Sequence, residues 1–148
     1  MIALIQRVNF AQVTVGERVT GRIERGLLAL VGVQASDDTA AAIRLLERVL
    51  GYRVFPDDEG RMNRSLGDTG GGLLLVPQFT LAADTRKGAR AGFSTAATPE
   101  VAQALFSRLV TEAQARHPQV ATGEFGAHMR VALENDGPVT FWLEAHAS

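Results

Sequence analysis

The stretch Asn135-Asp136-Gly137-Pro138-Val139-Thr140-Phe141-Trp142 sets a Gly-Pro step between two runs that both read as β-strand. Before it, Met129-Arg130-Val131-Ala132-Leu133 alternates as a half-buried strand does; after it, Val139-Thr140-Phe141-Trp142-Leu143 is β-branched and aromatic. Asn, Asp, Gly and Pro are all turn formers, so composition favours a hairpin with those runs as its arms. A second reading uses the same chemistry differently. Pro138 has no N–H to give a sheet ladder, and Gly137 reaches backbone angles closed to other residues. Carbonyl oxygens here can therefore turn away from a strand partner and toward a ligand.

Working outward, Ile2 to Val15 alternates loosely, Gly16-Glu17 can turn the chain, and residues 19–23 return as the second arm of a hairpin. Residues 26–33 are apolar almost throughout, as a central strand covered on both faces requires. Asp37 or Asp38 caps a helix over residues 39–50 with Ile43, Leu46 and Leu50 on one face, and Gly51 stops it. Tyr52-Arg53-Val54-Phe55 reads as a short strand running into the turn Pro56-Asp57-Asp58-Glu59-Gly60. Residues 67–72 form a glycine-rich bend before the strand Leu73-Leu74-Leu75-Val76. Pro77-Gln78-Phe79-Thr80-Leu81 then places a proline, an amide and a hydroxyl where a buried strand would simply continue. A polar loop over residues 83–94 carries Arg86, Lys87 and Arg90, and Lys87 is the only lysine of the chain. Thr98 as N-cap with Pro99 at the first position opens a helix to about Arg116, with Val101, Leu105 and Leu109 sharing a face and His117-Pro118 closing it. Residues 145–148 read as a frayed tail. There is no repeat, linker or low-complexity tract. The expected fold is a single α+β domain over residues 1–148: a mostly antiparallel, barrel-like sheet core with two main helices.

At 148 residues the chain is long enough for one sizeable core, and 46% hydrophobic against 21% charged residues is an ordinary soluble balance. A net charge of -1 excludes a generally polycationic nucleic-acid binder, so DNA binding is not expected and any RNA contact must be a local patch. The chain has no cysteine, which removes thiol catalysis, disulfides and Cys-based zinc sites and fits the cytoplasm. Residues 1–7 lack a basic stretch ahead of their apolar run, and no apolar run approaches the ~18 residues of a membrane span. His117, His128 and His146 form no i,i+4 pair, so no metal is expected and each reads as structural or surface. No Gly-x-Ser-x-Gly elbow occurs, and Gly70-Gly71-Gly72 leads into a strand where a phosphate cradle would lead into a helix. Asp57, Asp58 and Glu59 read as a solvated turn.

What remains is Gln78 and Thr80 at a strand end and the backbone of Gly137-Pro138. Thr80 can act as a weak nucleophile or a donor, but no base adjoins it in the sequence. Backbone N–H groups near Phe79 and Thr80 can stabilise an oxyanion, which suits a reactive ester better than an amide. Arg86, Lys87 and Arg90 either meet phosphates or form a plain solvated loop.

Met1-Ile2-Ala3-Leu4-Ile5-Gln6-Arg7-Val8, Gly51-Tyr52-Arg53-Val54-Phe55, Gln78-Phe79-Thr80-Leu81-Ala82-Ala83-Asp84-Thr85 and Asn135-Asp136-Gly137-Pro138-Val139-Thr140-Phe141 together resemble the D-aminoacyl-tRNA deacylase family, in order over nearly the whole chain. The resemblance implies a cytoplasmic homodimer that needs no cofactor. Its implied reaction is hydrolysis of the ester joining a D-amino acid to the terminal adenosine of tRNA, at a site on the subunit interface. By that resemblance Gly137-Pro138 matches a Gly-cisPro step that enters the partner's pocket and presents two carbonyl oxygens to the substrate's amino group. Arg7 matches the arginine that orients those carbonyls. Gln78, Phe79 and Thr80 match the pocket motif, with the region of Phe79 and Thr80 near the scissile ester, and Met129 matches a pocket methionine. A rigid backbone wall excludes an L side chain but not glycine, so glycyl-tRNA mischarged on tRNA(Ala) is implied as a further substrate. The family also implies help from the neighbouring 2'-OH of the tRNA.

One position departs from the pattern. The family motif begins with serine, and this chain has Pro77. A related branch that edits L-alanine from tRNA carries proline there, but lacks the match at Phe79 and the Val139-Thr140-Phe141 ending, so D-chirality remains the expectation. The competing readings are that L-alanyl editor and a non-catalytic tRNA-binding protein using the Arg86, Lys87 and Arg90 loop.

Overall fold

The computed structural model describes residues 1–146. The chain runs β1 (Ile2–Val15), β2 (Arg18–Ile23), β3 (Gly26–Gly32), α1 (Thr39–Gly51), β4 (Arg53–Pro56), β5 (Met62–Ser65), α2 (Leu66–Thr69), β6 (Gly72–Pro77), a 3-10 turn (Phe79–Ala82), α3 (Pro99–Arg116), β7 (Val120–Thr122) and β8 (Arg130–Glu144). One sheet has the order β2-β1-β3-β6-β7 with β8 added to β1, and β4 with β5 forms a separate ribbon. Pairs β3–β6 and β6–β7 are parallel and the other ladders antiparallel, so the sheet is mostly antiparallel as expected. The sheet curls until β2 lies against β7. A Cβ placed on Gly21 would sit 2.5 Å from the Thr122 carbonyl oxygen, so only glycine permits this near closure.

The apolar strands β3 and β6 feed two cores because alternate residues leave opposite faces. Leu27, Ala29, Val31, Leu73 and Leu75 pack toward α1 and α3, whereas Leu28, Leu74 and Val76 pack with Val8, Ala11, Val13 and Ile23 inside the curl. Asp38 caps α1, its Oδ1 accepting from the Ala41 amide at 2.9 Å. Asp37 instead accepts from the Met1 α-amino group at 2.7 Å. The buried face of α1 is Ala41, Ala42, Leu45, Leu46 and Val49, so the expected Ile43 and Leu50 only flank it. Thr98 caps α3 with Pro99 at its start, but Val101 is 42% exposed, because the stripe that faces the sheet runs through Ala102, Leu105, Phe106, Leu109 and Ala113. One residue along a helix is a rotation of about 100°, enough to turn Val101 outward.

Three further expectations are corrected. The bend at residues 67–72 overlaps α2, which is started by a capping box between Ser65 and Asp68 and ended at Gly70. Ala145 is not frayed: it is 3% exposed and its amide donates to the Met1 carbonyl at 2.9 Å; residues 147 and 148 of that tail lie outside the described residues. The largest correction concerns the Gly-Pro step, which makes no hairpin. Both flanking runs belong to the single strand β8 and both pair with β1, Gln6 opposite Thr140 and Val8 opposite Asn135. Between those pairs β1 holds only Arg7 while β8 holds residues 136–139, which bulge out of the ladder. No helix among the described residues is long and apolar enough to cross a membrane.

Candidate active site

The bulge is tied at its neck by side chains. Asn135 Oδ1 accepts from the Val139 amide at 2.9 Å, while its Nδ2 donates to Thr140 Oγ1 at 2.8 Å and to Gln6 Oε1 at 3.4 Å. Arg7, the one β1 residue opposite, donates from Nε to the Asp136 carbonyl at 3.1 Å and from Nη1 to the Val54 carbonyl at 2.7 Å, and pairs with the Asp136 carboxylate at 3.2 Å. It therefore welds the bulge to β4 through the carbonyl just before Gly137. Within the bulge the Gly137-Pro138 peptide is cis, and Gly137 has a φ of 141°. A Cβ there would lie 2.6 Å from Val139 Cγ2, so the position admits only glycine on both counts. Gly137 and Pro138 are exposed.

The second part of the site begins where β6 ends. The Gln78 amide donates to the Val31 carbonyl at 2.7 Å, and the chain then tightens into the 3-10 turn Phe79–Ala82. The first amides of such a turn have no partner within it, and among the described residues the N–H groups of Phe79 and Thr80 meet no acceptor. The Gln78 side-chain amide donates to Thr80 Oγ1, which fixes the hydroxyl beside those free donors. Thr95 Oγ1 donates to the Ala82 carbonyl at 2.6 Å and holds the far end of the turn.

Against this turn lies a cavity of about 710 Å³ with a mostly apolar lining. Pro77, Gln78, Phe79 and Met129 line it, together with residues the sequence did not assign to a site: Phe93, Thr98, Ala102, Phe125 and His128 among them. Thr80 is exposed beside it, while Arg7, Gly137 and Pro138 do not line it. The cavity is assembled from three separated stretches, so no local spacing signals it. His117 is buried with a ring nitrogen on the Gly71 carbonyl, and His146 faces Glu144, but His128 stands exposed at the cavity instead of in a purely surface setting.

The loop beyond the turn is pinched by two backbone hydrogen bonds between Asp84 and Gly92, of 2.7 and 2.9 Å. Arg86 folds back on the Asp84 carboxylate at 2.9 and 2.8 Å, and this contact holds the Asp84 carboxyl down at about 2 and raises Arg86. Lys87 and Arg90 are exposed and enter no ion pair among the described residues.

The sequence model of the family described as D-Tyr-tRNA(Tyr) deacylase matches residues 4–144. A protein of Thioalkalivibrio sulfidiphilus named D-aminoacyl-tRNA deacylase is 65% identical over 144 residues, 97% of each chain. One of the same name from Alkalilimnicola ehrlichii is 65% identical over 148 residues, 100% of this chain and 99% of that one. Among solved structures, a c-Myc DNA unwinding element binding protein superposes with a TM-score of 0.94 at 34% identity, covering 98% of this chain and 99% of that one. A probable eukaryotic D-amino acid tRNA deacylase shares the fold, with a TM-score of 0.82 at 19% identity over 97% of this chain and 98% of that one. With a family match over residues 4–144 and full-length relatives at 65% identity, the chain belongs to the D-Tyr-tRNA(Tyr) deacylase family of hydrolases.

Proposed function

We propose that the protein hydrolyses the ester of D-aminoacyl-tRNA, releasing the free D-amino acid and restoring the tRNA hydroxyl, in a cytoplasmic homodimer whose two sites each span the subunit interface. The observation that carries the reading is the pair of uncommitted amides at Phe79 and Thr80 on the edge of an apolar cavity of about 710 Å³. That volume falls in the roughly 300–1,000 Å³ range of small-molecule sites, and an apolar lining with Met129 and Phe125 suits a nucleoside base. The ester carbonyl then meets donors that need no reorganisation when negative charge develops on its oxygen. Gln78 and Thr80 orient that edge, and the adjacent 2'-OH of the tRNA assists the attack, so the protein positions the ester more than it supplies a nucleophile.

Chirality is set by the partner's bulge. In this reading the exposed Gly137-Pro138 backbone of one protomer closes the other's cavity, its carbonyls receive the substrate's amino group, and the wall leaves no space for an L side chain. Glycine, having none, passes, so glycyl-tRNA mischarged on tRNA(Ala) is also cleaved. Supporting the dimer is a row of apolar residues that are not fully buried, Trp142, Leu4 and Leu30 in successive strands, continued by the buried Val76. Trp142 is 50% exposed, and the row ends at Val76 in the cavity wall, so a partner covering Trp142, Leu4 and Leu30 arrives beside the cavity. Pro77 in place of serine leaves Thr80 as the motif's only hydroxyl.

The test is incubation with tRNA charged with D-Tyr, L-Tyr, Gly or L-Ala. Release of D-Tyr and Gly with L-Tyr intact supports the proposal. Preference for L-Ala assigns the chain to the alanine-editing branch, and binding without release makes it a tRNA-binding protein.

A further inference from the structure

Phe79 and Phe93 are respectively 62% and 47% exposed, yet their ring centroids lie 5.4 Å apart with the planes inclined at 40°. The other large exposed apolar side chains, Val19, Met62, Val101 and Trp142, include no second such aromatic pair. Exposing two aromatic rings side by side leaves apolar area in water that burial would otherwise stabilise, and rings so placed offer a stacking surface. Both rings line the cavity, and the loop leading to Phe93 carries the unpaired cations Lys87 and Arg90 while Arg86 is neutralised by Asp84. Rings in a row beside free cations are what an unpaired nucleic-acid strand recognises: its bases stack, and its phosphates meet the charges.

We propose that the Phe79–Phe93 step is a subsite for the single-stranded 3' end of the tRNA, stacking the nucleotide that precedes the terminal adenosine while Lys87 and Arg90 meet its phosphates. The inference rests on the deacylase reading and extends it from the ester outward along the strand. With the base seated on Phe93, the terminal adenosine is threaded into the cavity and the ester is brought to the Phe79 and Thr80 amides. Specificity for nucleotide identity is not required, since every base has a face to stack.

The experiment compares D-tyrosyl esters of full tRNA, of the trinucleotide CCA and of adenosine alone, with wild type, Phe93→Ala and Phe93→Tyr. Phe93→Ala is expected to raise KM for tRNA and for CCA roughly 5- to 150-fold more than for adenosine, the fold-change of about 1–3 kcal/mol of base stacking. Phe93→Tyr, which keeps the ring, restores wild-type KM on all three. Equal penalties on the adenosine ester, or no penalty on tRNA, overturn the subsite. A shift of Phe93→Ala to monomer in sedimentation overturns it as well, because Phe93 is then covered by a second copy of the chain. Fluorescence anisotropy of uncharged CCA is read in parallel. If the wild type binds CCA through Phe93 yet cleaves no ester, the deacylase reading fails and the stacking subsite stands.

Discussion

The bulge at residues 136–139 and the loop at residues 83–94 invert each other's use of backbone and side chain. In the bulge, side chains are consumed internally: Arg7 and Asn135 direct their hydrogen bonds to main-chain and neck groups, and the exposed residues are Gly137 and Pro138. In the loop the backbone closes on itself at Asp84 and Gly92, and Lys87, Arg90 and Phe93 face outward. In the proposed function the backbone wall discriminates by shape and the fringe of side chains supplies affinity for the strand.

The sharpest way to break the comparison is Arg7→Ala. It leaves the Asp136 and Val54 carbonyls and the Asp136 carboxylate without their shared donor. A displacement of the bulge by about 1 Å is expected to lower kcat/KM on D-Tyr-tRNA roughly 100-fold and to weaken the rejection of L-Tyr-tRNA; wild-type kinetics would remove Arg7 from the account. Gly137→Ala tests the same wall from inside. With a φ of 141° and Val139 Cγ2 within 2.6 Å of the new methyl, strain of about 1–3 kcal/mol should appear as a lowered Tm, and deacylation should fall roughly 10-fold.

At the turn and the loop the effects are smaller. Thr80→Ala removes one hydroxyl but neither amide, so kcat should fall only about 2- to 10-fold, in line with a single hydrogen bond of ~0.5–1.5 kcal/mol; abolished activity with an intact fold would instead make Thr80 the nucleophile. Arg90→Ala should change kcat little and reduce the slope of log affinity against log salt by about 0.7, the value for one phosphate contact on a single strand. Arg86 should contribute nothing to that slope from about pH 5 to 8. The Asp84 carboxyl, depressed to about 2, stays ionised on Arg86 throughout that range, and the pairing is lost only as pH falls through about 2.

Much of the scaffold is legible because it is local. Thr98-Pro99 announces the start of α3, and the unbroken apolar runs of β3 and β6 announce their burial on both faces. The identity of the turn at Asn135-Asp136-Gly137-Pro138 is not local. A hairpin and a bulge use the same residues, and what separates them is that both flanks pair with β1, more than a hundred residues away in the chain. The helix faces go astray for a milder reason: Val101 is apolar but lies one residue off the stripe that the sheet covers. The motif Pro77-Gln78-Phe79-Thr80 is readable as an anomaly in a buried strand, whereas Phe93, Phe125 and His128 join it only through tertiary folding. Phe93 reads from the sequence only as part of a polar loop, and the fold brings its ring to the cavity together with Phe125.

In the proposed dimer one protomer's bulge completes its partner's cavity, and mixed dimers test that arrangement. Gly137→Ala spoils the bulge and leaves the cavity; Met129→Arg fills the cavity and leaves the bulge, and each homodimer alone should be weakly active on D-Tyr-tRNA. Dimers formed by unfolding and refolding the two variants together at equal amounts should regain about a quarter of wild-type activity, since half of random pairs are mixed and each mixed pair holds one intact composite site. If the mixture stays at the level of the two homodimers, the bulge serves its own protomer's cavity or none, and the account is contradicted.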